Sequence, residues 1–148
     1  MTDLKNNELW YQLSFKDENN LSGINIFHFL KPLREVTKVH PTVVDDMEGA
    51  FNVSRLPNGK IFDFDALLLE VKNVVQFDWA FFYINFLKKG ISQNLQTNFE
   101  NSEIIIRLVD STYIYLYCRK KAYIEALMSN SNPATMKHCA FEQLDIPY

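Results

Sequence analysis

The sequence predicts an α+β fold: one domain whose mainly antiparallel sheet of about five to six strands carries two to three helices on one face. Three observations carry this. Residues Ile104–Val109 and Tyr113–Arg119 are β-branched and aromatic runs joined by a tight corner at Asp110 and Ser111, the pattern of a hairpin. Runs of strand-like sequence alternate with helical spacing, without the regular strand–helix alternation of a parallel doubly wound sheet. Gly is scarce, with four residues against twelve Phe and seven Tyr, which favours large flat side chains inside layered structure.

The elements follow in order. Leu9, Tyr11, Leu13 and Phe15 alternate with Trp10, Gln12 and Ser14, the period of a strand with one drier face. From Ser22, residues Ile26, Phe27, Phe29, Leu30, Leu33 and Val36 fall near helical spacing, and Pro32 breaks the helix they form. His40–Gly49, "HPTVVDDMEG", combines Pro, Gly and three acids and is expected to be a loop. Phe51 and Val53 precede "RLPNGKIF", whose Pro57, Asn58 and Gly59 supply the turn of a β-hairpin. Asp63 or Asp65 is placed to cap a helix whose apolar stripe is Leu67, Leu68, Val71, Val74 and Val75. The helix leads into "FDWAFFYINF", Phe77–Phe86, which has six aromatics in ten positions and both faces apolar, as in an interior strand. If no second layer covers Trp79, Phe81 and Tyr83, that face is the place for a partner. A polar connection, "KKGISQNLQTNFENS", precedes the hairpin, a short helix over Lys120–Asn130 follows it, and "HCAFEQLDIPY" adds an edge strand or tail.

At 148 residues the chain fits one domain. A net charge of −3 provides no overall field for a phosphate backbone, so nucleic acid is not an expected partner. The longest apolar candidate, Phe77–Leu87, contains Asp78 and Asn85 and is well short of the ~20 residues a membrane helix needs, so no membrane partner is expected. "MTDLKNNELW" lacks the basic and apolar segments of a secretory signal, which makes cytoplasmic residence the expectation and reads Cys118 and Cys139 as reduced thiols. The sequon at Asn52–Ser54 is then without consequence.

No catalytic, metal or cofactor site is expected. Gly-rich phosphate loops, G-x-S-x-G and H-E-x-x-H are absent from the sequence. His28, His40 and His138 lack a second ligand at metal-binding spacing, with His28 expected inside and His40 in a loop. His138 and Cys139 invite a nucleophile–base reading, but strand neighbours point to opposite faces. One carboxylate group stands out: Asp45, Asp46 and Glu48, interleaved with Val43, Val44 and Met47, present acid and apolar contact together, as a docking edge for a basic partner would.

The segment Phe62–Phe86, "FDFDALLLEVKNVVQFDWAFFYINF", resembles parts of small immunity proteins that bacteria encode beside polymorphic or contact-dependent toxins. The resemblance covers about a sixth of the chain and implies a single acidic α+β domain that binds and blocks a cognate toxin, often a basic nuclease. It implies no residue-by-residue map. The residues themselves put partner binding at Asp45, Asp46, Met47, Glu48, Trp79, Phe81 and Tyr83. Two other classes stand beside it: a small enzyme or ligand-binding domain with a site between sheet and helices, and an oligomeric structural subunit.

Overall fold

The computed structural model describes residues 8–17, 21–34, 41–51, 59–87, 90–128 and 131–147. Among these residues seven strands form one open antiparallel sheet: β1 (Trp10–Lys16), β2 (Pro41–Phe51), β3 (Ile61–Asp63), β4 (Val74–Ile84), β5 (Ile104–Val109), β6 (Tyr113–Cys118) and β7 (Thr135–Cys139). They lie in the order β3-β2-β4-β5-β6-β1-β7. Among the described residues the α-helices are α1 (Gly23–Leu30), α2 (Phe64–Val71), α3 (Leu95–Glu100) and α4 (Lys121–Met128).

The predicted α+β class therefore holds, with a fuller sheet and a helix on the second face. On the first face α1, α2 and α4 bury Ile26, Leu30, Leu67, Val71, Ile124 and Leu127 against the inward side chains of β4, β5 and β6, among them Phe82, Ile106 and Leu116. Each of these side chains gives roughly 1.5–3 kcal/mol on leaving water. A smaller cluster on the other face joins Trp10, Val43, Phe81, Tyr83, Phe86, Ile105 and Tyr117 around Phe99 of α3. Asn94 starts α3 by accepting a hydrogen bond from the Thr97 N–H at 3.0 Å, inside what the sequence presents as a polar connection.

Local signals explain most boundaries. The Asp63 carboxylate accepts from the Ala66 N–H at 2.7 Å and starts α2. That helix ends at Val71, so Val74 and Val75 belong to β4 and not to the helical stripe; Val74 points inward and Val75 outward, as alternation in a strand demands. Pro32 opens a single 3-10 turn, Lys31–Leu33, directly after α1. The β5–β6 hairpin pairs Val109 with Tyr113, and Asp110 and Ser111 both take positive φ at its corner.

The main correction concerns Pro41–Gly49, which is strand and not loop. β2 pairs with β4 over its length, and Val43 and Val44 are fully buried, one on each face. Burial of this valine pair outweighs the turn character of the acids and Gly49. Gly49 is required for another reason: a Cβ there would stand 2.2 Å from the Gln76 carbonyl oxygen. β3 pairs with the start of β2, at Pro41–Val43, while Phe51 pairs with Val74 of β4, so the tight hairpin expected between Phe51 and Ile61 is replaced by a pairing across a longer connection. Gly59 has φ 78° and donates its N–H to the Val44 carbonyl at 2.8 Å. His40, Asn52–Ser54, Pro57, Asn58 and Val36 lie outside the described residues.

Candidate functional site

The acidic segment sits on a β-bulge. Val44 and Met47 both point into the first core cluster, so two residues, Asp45 and Asp46, separate them where regular alternation allows one. Asp45 pairs with Phe81 and Glu48 with Trp79, which places one extra residue in β2. Asp46 absorbs the irregularity with φ 51°, a conformation Asp tolerates better than most residues.

The bulge swings Asp46 toward Arg107 of β5. Arg107 alternates with Ile105 and Val109 on the second face and is 1 % exposed. Its Nη2 meets Asp46 Oδ2 at 2.9 Å, its Nε donates to the Pro147 carbonyl at 3.0 Å, and its guanidinium lies 4.1 Å from the Phe81 ring centroid and 5.0 Å from that of Trp79. Nη1 is buried and has no hydrogen-bond partner among the described residues. The sequence reading passed over Arg107, although a cation in "IIIRLV", a run apolar on both faces, is itself a signal, because a buried charge needs a partner.

The residues expected to bind a partner divide into two sets. Asp46 and Glu48 are exposed, and Asp45 and Trp79 are half-buried. Met47 at 1 %, Phe81 at 4 % and Tyr83 at 1 % exposure lie beneath the surface. A second layer thus covers Phe81 and Tyr83: Phe99 of α3 meets both rings edge-on, with centroids 6.3 and 6.2 Å away. Burial first, and then the Asp45 charge, push the Tyr83 hydroxyl well above its ordinary range, against a hydrogen bond with Asn98 and the Arg107 cation. Past that cover the second face is more open, with Trp79 and Tyr115 half-buried and Tyr113 39 % exposed. The structure therefore groups Asp45, Asp46, Glu48 and Trp79 above Arg107, and places Met47, Phe81 and Tyr83 below.

An open groove of about 600 Å³ lies elsewhere, lined by Glu8, Leu9, Tyr11, Glu103, Arg119, Lys120 and His138. Its charges are paired: Arg119 with Glu8 at 3.2 Å and Lys120 with Glu103 at 3.3 Å. Burial acts to raise the Glu103 carboxyl, but hydrogen bonds from Tyr123 and Lys120 and the nearby cations outweigh it and hold that group below its ordinary value. His138 stacks on Tyr11 with centroids 4.0 Å apart and pairs opposite it, whereas Cys139 pairs opposite Trp10. His28 is exposed on α1 and not interior. Among the described residues no group of three or more His, Cys, Asp or Glu side chains is placed to hold a metal ion, and no described helix is long and apolar enough to cross a membrane.

Compared with known proteins, the chain matches no family model, and no curated protein or solved structure matches it.

Proposed function

We propose that this chain is a protein-binding module, an immunity protein that binds a basic bacterial toxin domain and blocks its active site. The observation that carries the reading is the bulge of β2, which gathers Asp45, Asp46 and Glu48 beside the half-buried Trp79. Like charges on one edge steer a cationic partner and repel anionic surfaces. An aromatic side chain at their centre supplies the kind of anchor on which interface energy concentrates. The net charge of −3 acts in the same direction.

The test is co-purification with the product of the adjacent gene, together with rescue of cells that express that product. Asp45→Lys with Glu48→Lys reverses two charges without touching the Asp46–Arg107 pair. The double variant is expected to weaken the complex at least about tenfold and to abolish rescue, with thermal stability kept. No complex and no rescue with the unmodified chain would sink the reading.

One observation favours a second reading, a small-ligand site: the groove beside Arg119 and Lys120, with His138 on its wall. Cys139 is not among its lining residues. A small-molecule screen by thermal shift tests this reading. A hit lost in His138→Ala supports it, and a hit unaffected by that change places the ligand elsewhere.

A further inference from the structure

The chain after β7 forms a strap, residues 141–147, that runs over the second face across β1, β6 and β5. Successive strands each give its main chain one polar side chain. Lys137 of β7 donates to the Gln143 carbonyl at 2.5 Å, and Gln12 of β1 accepts from the Asp145 N–H at 2.7 Å. The Tyr117 hydroxyl of β6 donates to the Asp145 carbonyl, and Arg107 of β5 donates to the Pro147 carbonyl at 3.0 Å. Phe141, Leu144 and Ile146 pack against the apolar cluster beneath, with Phe141 centred 5.5 Å from Phe99 and 6.1 Å from Trp10.

Phe141–Gln143 form a 3-10 turn, and the chain leaves it in an extended conformation at Leu144; main-chain partners with apolar contacts between them are how a protein holds a bound peptide. The strap itself is shallow, since none of its residues is buried, whereas Gln12 and Arg107 beneath it are 3 % and 1 % exposed. Where the strap reaches Pro147, Arg107 Nη1 has no acceptor among the described residues. Residues 141–147 therefore leave one donor of the site unused.

We propose that this track is a docking site for an extended peptide of a partner protein. Such a peptide is apolar at the positions of Phe141, Leu144 and Ile146 and carries an oxygen acceptor for Arg107 Nη1, and the strap is the tethered competitor that it displaces. This goes beyond the acidic-bulge reading and stands without it, because it rests on different contacts. A tethered segment competes at an effective concentration of roughly millimolar, so the strap masks the track until a better-matched peptide arrives. An acceptor for the charged Nη1 donor, which residues 141–147 do not supply, is worth roughly tenfold in affinity or more.

Two measurements on the full chain test this. In native-state hydrogen exchange, the Asp145 amide is expected to exchange at least about 100-fold faster than the amides of Ile105 and Leu116, because the strap opens without the sheet. Equal rates would show that the strap leaves only on global unfolding, and would overturn the proposal. The second measurement uses a fluorescent peptide with the sequence of residues 140–147 followed by aspartate. It is expected to bind the full-length Leu144→Ser/Ile146→Ser variant at least about tenfold more tightly than the unmodified chain, whose own strap competes. A control peptide with serine at those two positions is expected not to bind. Equal binding of both peptides, or none to the folded variant, would overturn it; so would a concentration-dependent dimer that exchanges straps without taking up peptide, which makes a second copy the occupant. If the variant does not fold, the exchange rates of the unmodified chain decide.

Discussion

At the scale of single residues, the Arg107–Asp46 pair is unequal. Arg107 is buried in an aromatic setting, whereas the Asp46 side chain is 53 % exposed at the bulge. Removing the acid leaves a cation inside with one remaining hydrogen bond; removing the cation leaves an acid that water solvates. Asp46→Ala is therefore expected to cost about 2–3 kcal/mol, and Arg107→Met about 1 kcal/mol or less, as measured by urea denaturation. The reverse order would mean that ring packing, and not charge pairing, sets the worth of Arg107. Cys118 is a second case. Burial pushes its thiol up to about 12, so at pH 8 almost none is thiolate. A thiol reagent is expected to modify the half-buried Cys139 in the native chain and to reach Cys118 only in denaturant.

At the scale of elements, close backbone approach holds two joints, one where Gly49 of β2 lies against Gln76 of β4 and one at Gly23. A Cβ on Gly23 would lie 2.2 Å from the Val74 carbonyl oxygen and 2.3 Å from that of Val71, where the start of α1 packs on the corner between α2 and β4. Gly23→Ala must shift backbone and is expected to cost about 1–3 kcal/mol, read as a lower melting temperature. Most elements were legible because their signals are local. The β5–β6 hairpin, the Asp63 cap and the strand over Phe77–Ile84 follow from alternation and capping chemistry. β2 was not legible as a strand: its turn residues and acids obey a local rule, while its burial depends on β4, some thirty residues away. Helix α3 was hidden for a similar reason, since four of its six residues are polar and its anchoring ring, Phe99, packs on a face whose cover no local pattern announces. The candidate site was half legible. Asp45, Asp46, Glu48 and Trp79 come together, but the bulge that brings the exposed Asp46 to Arg107, and the buried Arg107 itself, are properties of the pairing.

At the scale of the whole molecule, titration bounds stability on both sides of neutrality. Cys118, Tyr83 and Tyr123 all have folded values raised by burial above their ordinary 9.0, 10.0 and 10.0. The stability they contribute is complete below those ordinary values and is lost as pH rises through the raised ones, so unfolding free energy is expected to fall steadily from about pH 9 upward. Asp145, held down by hydrogen bonds from Lys137 and Gln12, and Glu103 act in the opposite sense. Their contribution is present above the ordinary carboxylate range and is lost as pH falls through their lowered values. Denaturation curves across pH check both limbs, and a flat alkaline limb would contradict the assigned burial of the three groups. Between those limits, among the described residues, α1, α2 and α4 pack on one face of the sheet, and the other is shared among α3, the strap and the open stretch beside the acidic bulge. The proposed binding of a basic toxin domain at this open stretch is tested by calorimetric titration of the purified chain with the product of the adjacent gene. A one-to-one complex is expected that Asp45→Lys/Glu48→Lys weakens at least about tenfold and that loses affinity as salt rises; no binding, or binding indifferent to both charge reversals, would rule it out.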